Sequence, residues 1–170
     1  MENSINITLT QLFQCMAILL SGLVAGLFYG YDCSVVKGLG NLQDDAYLQS
    51  FQSINKAIQN PYFFMSFMGA LLIFPLAGWL SYNNESAPTF YLLLSASLVY
   101  IFGVFCITIF FNVPLNEQLD KFPTLSATEN EISAMRKSFE NAWNSYHRIR
   151  TVAAIISFLL AILSLLKIKI

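Results

Sequence analysis

The chain has 170 residues, of which 56% are hydrophobic and only 11% are charged, and its mean hydropathy is +0.58. A soluble domain usually carries about 25% charged residues. The composition therefore excludes a second, soluble domain and predicts a single membrane domain over residues 1–170. A net charge of −1 without a basic patch excludes nucleic acid as a partner and leaves the lipid bilayer as the first one.

Four apolar segments approach the length of a bilayer span, and they cover residues 9–31, 61–80, 90–111 and 151–166. A membrane helix needs about 20 mostly apolar residues. The first three segments meet this length, and the first is too long for a signal peptide, so we expect it to remain as an uncleaved span. The fourth is shorter but continues a helix. The predicted fold is an all-α membrane protein with four transmembrane helices in a bundle.

Span 1 carries three glycines at four-residue spacing, Gly22, Gly26 and Gly30. Small residues at this spacing form a flat stripe along a helix, which lets another helix approach closely. The stripe predicts either packing inside the protein's own bundle or the face of a homodimer.

Loop 1 is predicted to contain an amphipathic helix, with Asp44 or Asp45 as its cap and its end near Gln59. Its apolar residues recur at three- and four-residue spacing, at Leu48, Phe51, Ile54 and Ile58. Asn55 lies on the same face, where an unpaired amide costs about 1–3 kcal/mol. Asn55 is therefore either a structural tie to another helix or a group that faces a ligand. The pair Asn60-Pro61 ends this helix and starts span 2.

Span 3 ends in the run Asn112-Val113-Pro114-Leu115-Asn116. Pro114 lacks an N–H and disfavours helix at Val113, so the sequence predicts a break at this point. The side chains of Asn112 and Asn116 then either cap the broken helix end or face a ligand.

A long helix is predicted to lead into span 4. Thr128 and Glu131 have the spacing of a capping box, and an apolar stripe follows them. Trp143, His147 and Arg150 stand at positions i, i+4 and i+7, so they share one face of that helix.

This face carries the residues best suited to chemistry. His147 is a candidate general base, or an interfacial residue bonded to a backbone carbonyl. Arg150 is a candidate partner for an oxyanion, or a charge that anchors the helix at the membrane interface. Trp143 offers a wall for a flat ring. Asp32, at the end of span 1, is a candidate ion-pair partner for Arg150 or Arg148.

Connectivity brings these groups together, because four spans place the end of span 1, the start of span 2, the end of span 3 and the start of span 4 on one membrane side. We therefore expect one polar site in a cavity on that side. Its predicted catalytic residues are His147 and Arg150, and its predicted substrate-binding residues are Asn55, Asn60, Asn112, Asn116 and Trp143.

The sequence predicts no metal site and no bound cofactor. It contains one histidine and three scattered cysteines, Cys15, Cys33 and Cys106, which do not have the spacing of a metal-ligand set.

The order of these motifs resembles the anthrone oxygenase-like family of small four-helix membrane proteins. The resemblance covers nearly the whole chain and is carried by the glycine-rich end of span 1, Lys37-Gly38-Leu39, the run from Phe51 to Lys56 before Asn60-Pro61, the run from Asn112 to Asn116, and Trp143 with Arg150-Thr151. It implies oxidation of anthrones to anthraquinones with O2 and without a known cofactor. One departure is that Tyr146-His147 stand where family members commonly have Trp-Asn.

Two functions remain open from the sequence. The first is a cofactor-independent membrane oxygenase that takes a flat, apolar, anthrone-like molecule and O2. In it a base removes a C–H proton, the carbanion passes an electron to O2, and Arg150 with the asparagines holds the enolate oxygen. The second is a non-enzymatic membrane protein that binds a lipid, a quinone or a partner helix in the same pocket.

The distribution of lysine and arginine predicts the orientation. Loops 1 and 3 hold seven of these residues, whereas the opposite side holds only Lys167 and Lys169. Cytoplasmic loops are enriched in positive charge. We therefore expect a multi-pass protein of the cell membrane, with loops 1 and 3 in the cytoplasm and both termini outside.

This orientation predicts that Ser86→Cys, placed in loop 2 of a variant without the three native cysteines, reacts with a membrane-impermeant maleimide in intact cells. Ser126→Cys in loop 3 should react only after the cells are lysed. The reverse labelling pattern would overturn the orientation.

Overall fold

The structure is a computed structural model that describes residues 7–166, so Lys167 and Lys169 lie outside the described residues. Across these residues every regular element is a helix. The helices are α1 (Leu9–Gly40), α2 (Asp44–Ala57), α3 (Pro61–Asn84), α4 (Ala87–Asp120) and α5 (Glu129–Leu165). All except α2 are long and apolar enough to cross a membrane. The prediction of an all-α membrane protein with four spans is confirmed.

Side-chain caps define where three of these helices begin. Thr8 and Gln11 form a capping box at the start of α1, and Thr128 and Glu131 form the predicted one at the start of α5. Asn60 caps α3, because its Oδ1 accepts a hydrogen bond from the Phe63 N–H at 3.1 Å.

The predicted aspartate cap of α2 is wrong. Gln43 occupies the cap position without a side-chain bond, and Asp44 and Asp45 fall in the first turn of the helix. Both carboxylates are favourable there as well, since the N-terminus of a helix carries a partial positive charge.

The four spans pack side by side. Helix α1 packs against α3 and α5, and α4 also packs against α3 and α5. Phe74 and Tyr100 are buried at the centre, where small residues such as Ala154 let the helices approach. The Tyr100 hydroxyl donates to the Phe67 carbonyl at 2.9 Å, which ties α4 to α3 in the core.

Helix α2 packs against the extramembrane half of α5. Its buried residues Tyr47, Leu48 and Phe51 form a second apolar cluster with Phe139 and Trp143 of α5. The prediction that loop 1 contains a helix with a buried apolar face is therefore confirmed. This contact places α2 across the end of the spans.

Helix α4 does not break at Pro114. It contains two π-helical segments, Tyr100–Cys106 and Thr108–Asn112, and then continues as an α-helix through Val113–Asp120. Pro114 lies in the first turn after the second π-helical segment. The predicted break is wrong, and neither Asn112 nor Asn116 caps a helix end there.

Glycines show where the spans approach most closely. A Cβ on Gly22 would lie 2.9 Å from the Phe158 ring, whereas Gly26 and Gly30 have open space around them. Packing within the protein therefore explains Gly22 alone, and the homodimer face stays a prediction. The tightest approach is elsewhere, because a Cβ on Gly103 would lie 2.6 Å from the Ala153 Cβ.

Gly103→Ala should destabilise the protein by about 1–3 kcal/mol, because the added methyl group forces α4 away from α5. Gly26→Ala adds the same group in open space and should not lower the melting temperature in detergent. Ala153→Gly should rescue Gly103→Ala. An unchanged melting temperature for Gly103→Ala would contradict this packing.

Candidate functional site

A cavity of about 500 Å³ lies between the start of α3, the end of α4, and parts of α1, α2 and α5. Its volume is typical of a small-molecule site. Most of its wall is apolar, and the polar groups are few. The wall includes Leu27, Phe28, Tyr31, Ile54, Asn55, Phe63, Phe64, Phe67, Met68, Thr108, Ile109, Val113, Asn116, Trp143, His147 and Arg150.

Five of the seven predicted site residues line this cavity, namely Asn55, Asn116, Trp143, His147 and Arg150. The structure does not bring Asn60 and Asn112 to it. The Asn60 side chain caps α3 and also donates to the Ala57 carbonyl at 2.8 Å. Asn112 is fully buried between α4 and α5, where its Nδ2 donates to the Trp143 carbonyl at 3.3 Å. Asn60 thus serves a helix end and the Nδ2 of Asn112 serves helix packing, whereas the buried Oδ1 of Asn112 has no partner among the described residues.

Arg150 is a buried cation, with only 8% of its surface exposed. Its Nε donates to His147 Nδ1 at 3.2 Å, and its Nη1 donates to Thr108 Oγ1 at 3.3 Å. The guanidinium carbon also lies 4.4 Å from the Phe28 ring centroid and 5.1 Å from that of Trp143. All these partners are formally neutral. Within residues 7–166 no carboxylate forms an ion pair with Arg150, and the predicted pairing with Asp32 is not formed.

The bonds of His147 fix its tautomer. Because an arginine Nε can only donate, the Nδ1 of His147 must accept, and the ring proton lies on Nε2. That Nε2–H donates to the Phe28 carbonyl at 3.2 Å, as in the backbone-bonded alternative drawn from the sequence. Both ring nitrogens are therefore engaged while Arg150 keeps this position.

Trp143 forms one wall of the cavity. Its ring stacks on the His147 imidazole at a centroid distance of 4.8 Å and an angle of 19°. Its Nε1 donates to Asn116 Oδ1 at 2.7 Å, which fixes the indole plane. Asn116 thus holds the wall as well as lining the cavity.

Arg136, on the same helix, is an arginine whose charge is paired with carboxylates. It forms ion pairs with Asp44 at 2.8 Å and with Glu140 at 2.9 Å. It also donates to the carbonyls of Gly40 and Leu42. Arg136 therefore joins α2 to α5, whereas Arg150 keeps donor capacity that the described residues leave unused.

Two further donors in the cavity wall have no partner among the described residues. They are the Tyr31 hydroxyl and the Nδ2 of Asn55, and both atoms are buried. Asn55 is only 7% exposed. The structural tie proposed for Asn55 is not formed, so the ligand-facing alternative fits the structure better.

Sequence reasoning missed three residues that contact Arg150 or line the cavity beside it. Tyr31 lies near other aromatic residues of the first predicted span. Aromatic residues at the end of a span are usually interfacial, so the sequence did not indicate that its side chain faces the cavity. Phe28 and Thr108 sit inside apolar spans with no motif around them. The one available signal for Thr108 was its four-residue spacing from Asn112.

Besides Arg150, the charged residues that line the cavity are exposed and lie at its mouth. Lys56 of α2 and Asp120 of α4 form an ion pair at 3.1 Å across it, and Glu117 lies beside them. On the membrane side, the wall residues Phe64, Met68 and Ile109 are partly exposed. In the part of the chain that the structure describes, no three His, Cys, Asp or Glu side chains gather as metal ligands.

Comparison with known protein families gives one match, which covers part of the cavity wall. The family model described as "Anthrone oxygenase" matches residues 62–160, which is more than half of the chain. The match includes Trp143, His147 and Arg150 but neither Tyr31 nor Asn55. No curated protein and no solved structure shows significant similarity to the chain.

The stabilities of Arg136 and Arg150 variants test whether Arg150 holds the fold together. Arg136→Met should lower stability by about 1.5–3 kcal/mol, because it removes charge-assisted hydrogen bonds and leaves their partners unpaired. Arg150→Met should leave the melting temperature in detergent unchanged or raise it, since it removes a desolvated charge that has no counter-ion. Equal losses in the two variants would show that Arg150 is a structural residue.

Proposed function

This chain belongs to the anthrone oxygenase family, and we propose that it is a cofactor-independent membrane oxygenase of a flat, apolar aromatic ketone of the anthrone type. The observation that carries the proposal is the buried Arg150 guanidinium, which lies in an apolar cavity and forms no ion pair with any of the described residues. A cation in such a place favours a ligand on which negative charge develops.

The shape of the cavity suits a flat ring system. Trp143 provides a rigid aromatic wall, and the Phe28 ring is a second aromatic surface beside the Arg150 guanidinium carbon. A ketone of this class dissolves in the bilayer, and the partly exposed Phe64 and Ile109 line the side of the cavity that faces the membrane. We infer that the ketone oxygen lies against the unused N–H groups of Arg150.

Arg150 would lower the barrier to proton loss. An anthrone carries a CH2 group conjugated through its rings to a carbonyl, and removal of one of these protons puts negative charge on the carbonyl oxygen. A preorganised guanidinium in a water-poor cavity stabilises that enolate strongly. The donor is already in place and needs no rearrangement of solvent.

The role of His147 depends on its hydrogen bond with Arg150. While Arg150 Nε donates to His147 Nδ1, the imidazole has no free lone pair for a proton. If the substrate oxygen draws the guanidinium toward itself, Nδ1 is released and becomes a general base. In this proposal substrate binding and activation of the base are therefore coupled through one hydrogen bond.

The oxidation itself balances without an added reductant. The enolate passes one electron to O2, and the resulting radical pair joins through a new C–O bond at the former CH2 carbon. The peroxide anion takes up a proton. Loss of the remaining hydrogen on that carbon as a proton, with cleavage of the O–O bond, gives a second carbonyl and water. The sum is anthrone plus O2 to anthraquinone plus water.

One observation favours the second function, a non-enzymatic protein that binds an apolar ligand such as a quinone. Both nitrogens of His147 are occupied, so the site as it stands is better arranged for binding than for proton transfer. A quinone carbonyl would accept from Arg150 in the same way as an enolate oxygen.

The enzyme function predicts that Arg150→Ala lowers the rate of O2 consumption with anthrone by at least about a hundredfold, the usual effect of removing an oxyanion donor. Arg148→Ala is the matched control, because Arg148 is an exposed arginine on the same helix. The test uses the purified protein in lipid nanodiscs, with an oxygen electrode and anthraquinone detection. Full activity of a folded Arg150→Ala variant would refute the mechanism.

A further inference from the structure

The cavity contains a group of unpaired donors besides Arg150. The Tyr31 hydroxyl comes from the end of the first span and the Asn55 amide comes from α2. Both polar atoms are buried, and neither has a hydrogen-bond partner among the described residues. Residues 62–160, which the family model matches, include neither side chain.

The Tyr31 ring is held firmly by its neighbours. It meets the edge or face of three rings, at centroid distances of 5.3 Å to His147, 5.5 Å to Trp143 and 6.3 Å to Phe51. The phenol therefore cannot turn its hydroxyl toward water without disturbing the wall of the cavity. Its position is set by packing before any ligand arrives.

Asn55 is constrained in a similar way. It lies on the buried face of α2 together with Tyr47, Leu48 and Phe51. An unpaired amide on such a face lowers stability, and an apolar residue of similar size would not. Local folding gives no reason for a polar group at this position, whereas a ligand oxygen in the cavity would satisfy its N–H.

We propose that Tyr31 and Asn55 form a second donor group, which binds another oxygen of the ligand that Arg150 holds. This assigns the ligand to flat aromatic compounds with at least two oxygens, such as a hydroxylated aryl ketone or a quinone. The proposal deepens the proposed function, since it rests on the same cavity and on a flat aromatic ligand. Because α1 and α2 supply these donors, they set which ring systems bind.

The test measures binding and does not depend on turnover. The chain contains two tryptophans, and Trp79 is exposed on a span, so a Trp79→Phe background leaves Trp143 as the reporter. Quenching of its fluorescence by 9,10-anthraquinone in nanodiscs gives the affinity. Tyr31→Phe and Asn55→Leu should each weaken anthraquinone binding about tenfold. Tyr29→Phe, an exposed tyrosine on the same helix, should leave it unchanged.

Two controls separate recognition from general damage. Anthracene has the same rings without oxygen, and its affinity should be the same in the parent and in both variants. The melting temperatures without ligand should be equal or higher in Tyr31→Phe and Asn55→Leu, because each removes an unpaired buried group. Unchanged anthraquinone affinity, or equal losses for anthracene, would overturn the proposal. Should Asn55→Leu fail to fold, Asn55→Ala and Tyr31→Phe decide the question.

Failure of this inference is distinguishable from failure of the oxygenase function. If the parent protein consumes no O2 with anthrone but binds anthraquinone through Tyr31 and Asn55, the oxygenase proposal fails and the second donor group stands. If O2 consumption depends on Arg150 while Tyr31→Phe and Asn55→Leu leave the anthraquinone affinity unchanged, only the second donor group is refuted.

Discussion

The site depends on the contacts that hold the buried guanidinium of Arg150. A desolvated cation without a counter-ion is costly. Among the described residues, the contacts of Arg150 are a hydroxyl, an imidazole nitrogen and two aromatic faces. These neutral partners hold the charge in position without neutralising it. The fold therefore maintains a positive group inside the cavity, while the ion pair between Lys56 and Asp120 lies at the mouth.

Two features of the helices bring the neutral partners to Arg150. The long helix α5 continues without a break from the extramembrane region into the membrane, which keeps Trp143, His147 and Arg150 on one face. In α4, the buried residues Tyr100, Val104, Thr108 and Asn112 follow one another at four-residue steps. In a regular α-helix, three such steps would move a side chain about 120° around the helix axis. The wider turns of the π-helical segments reduce this drift, so that Thr108 still faces Arg150.

The features that the sequence could predict are the ones set by local patterns. The length of the apolar segments predicts the four spans, and the spacing of apolar residues in loop 1 predicts α2. The spacing of Thr128 and Glu131 predicts the start of α5. Connectivity gave the side of the membrane where Asn55, Trp143 and Arg150 meet. The rotation of each helix against its neighbours depends on packing, and it decided that Asn112 faces α5 instead of the cavity. The rotation of α1 likewise directs Tyr31 toward the cavity. The π-helical segments of α4 precede Pro114, and the helix continues past this residue.

The central claim is that Arg150 stabilises negative charge on an aryl ketone oxygen. The most direct measurement is the absorption spectrum of anthrone bound to the protein under strictly anaerobic conditions, where ionisation is separated from oxidation. Stoichiometric protein should produce the long-wavelength enolate band at a pH at which free anthrone stays in its keto form, whereas Arg150→Gln should not. Bound anthrone that keeps its keto spectrum in the parent protein would show that Arg150 does not have this role.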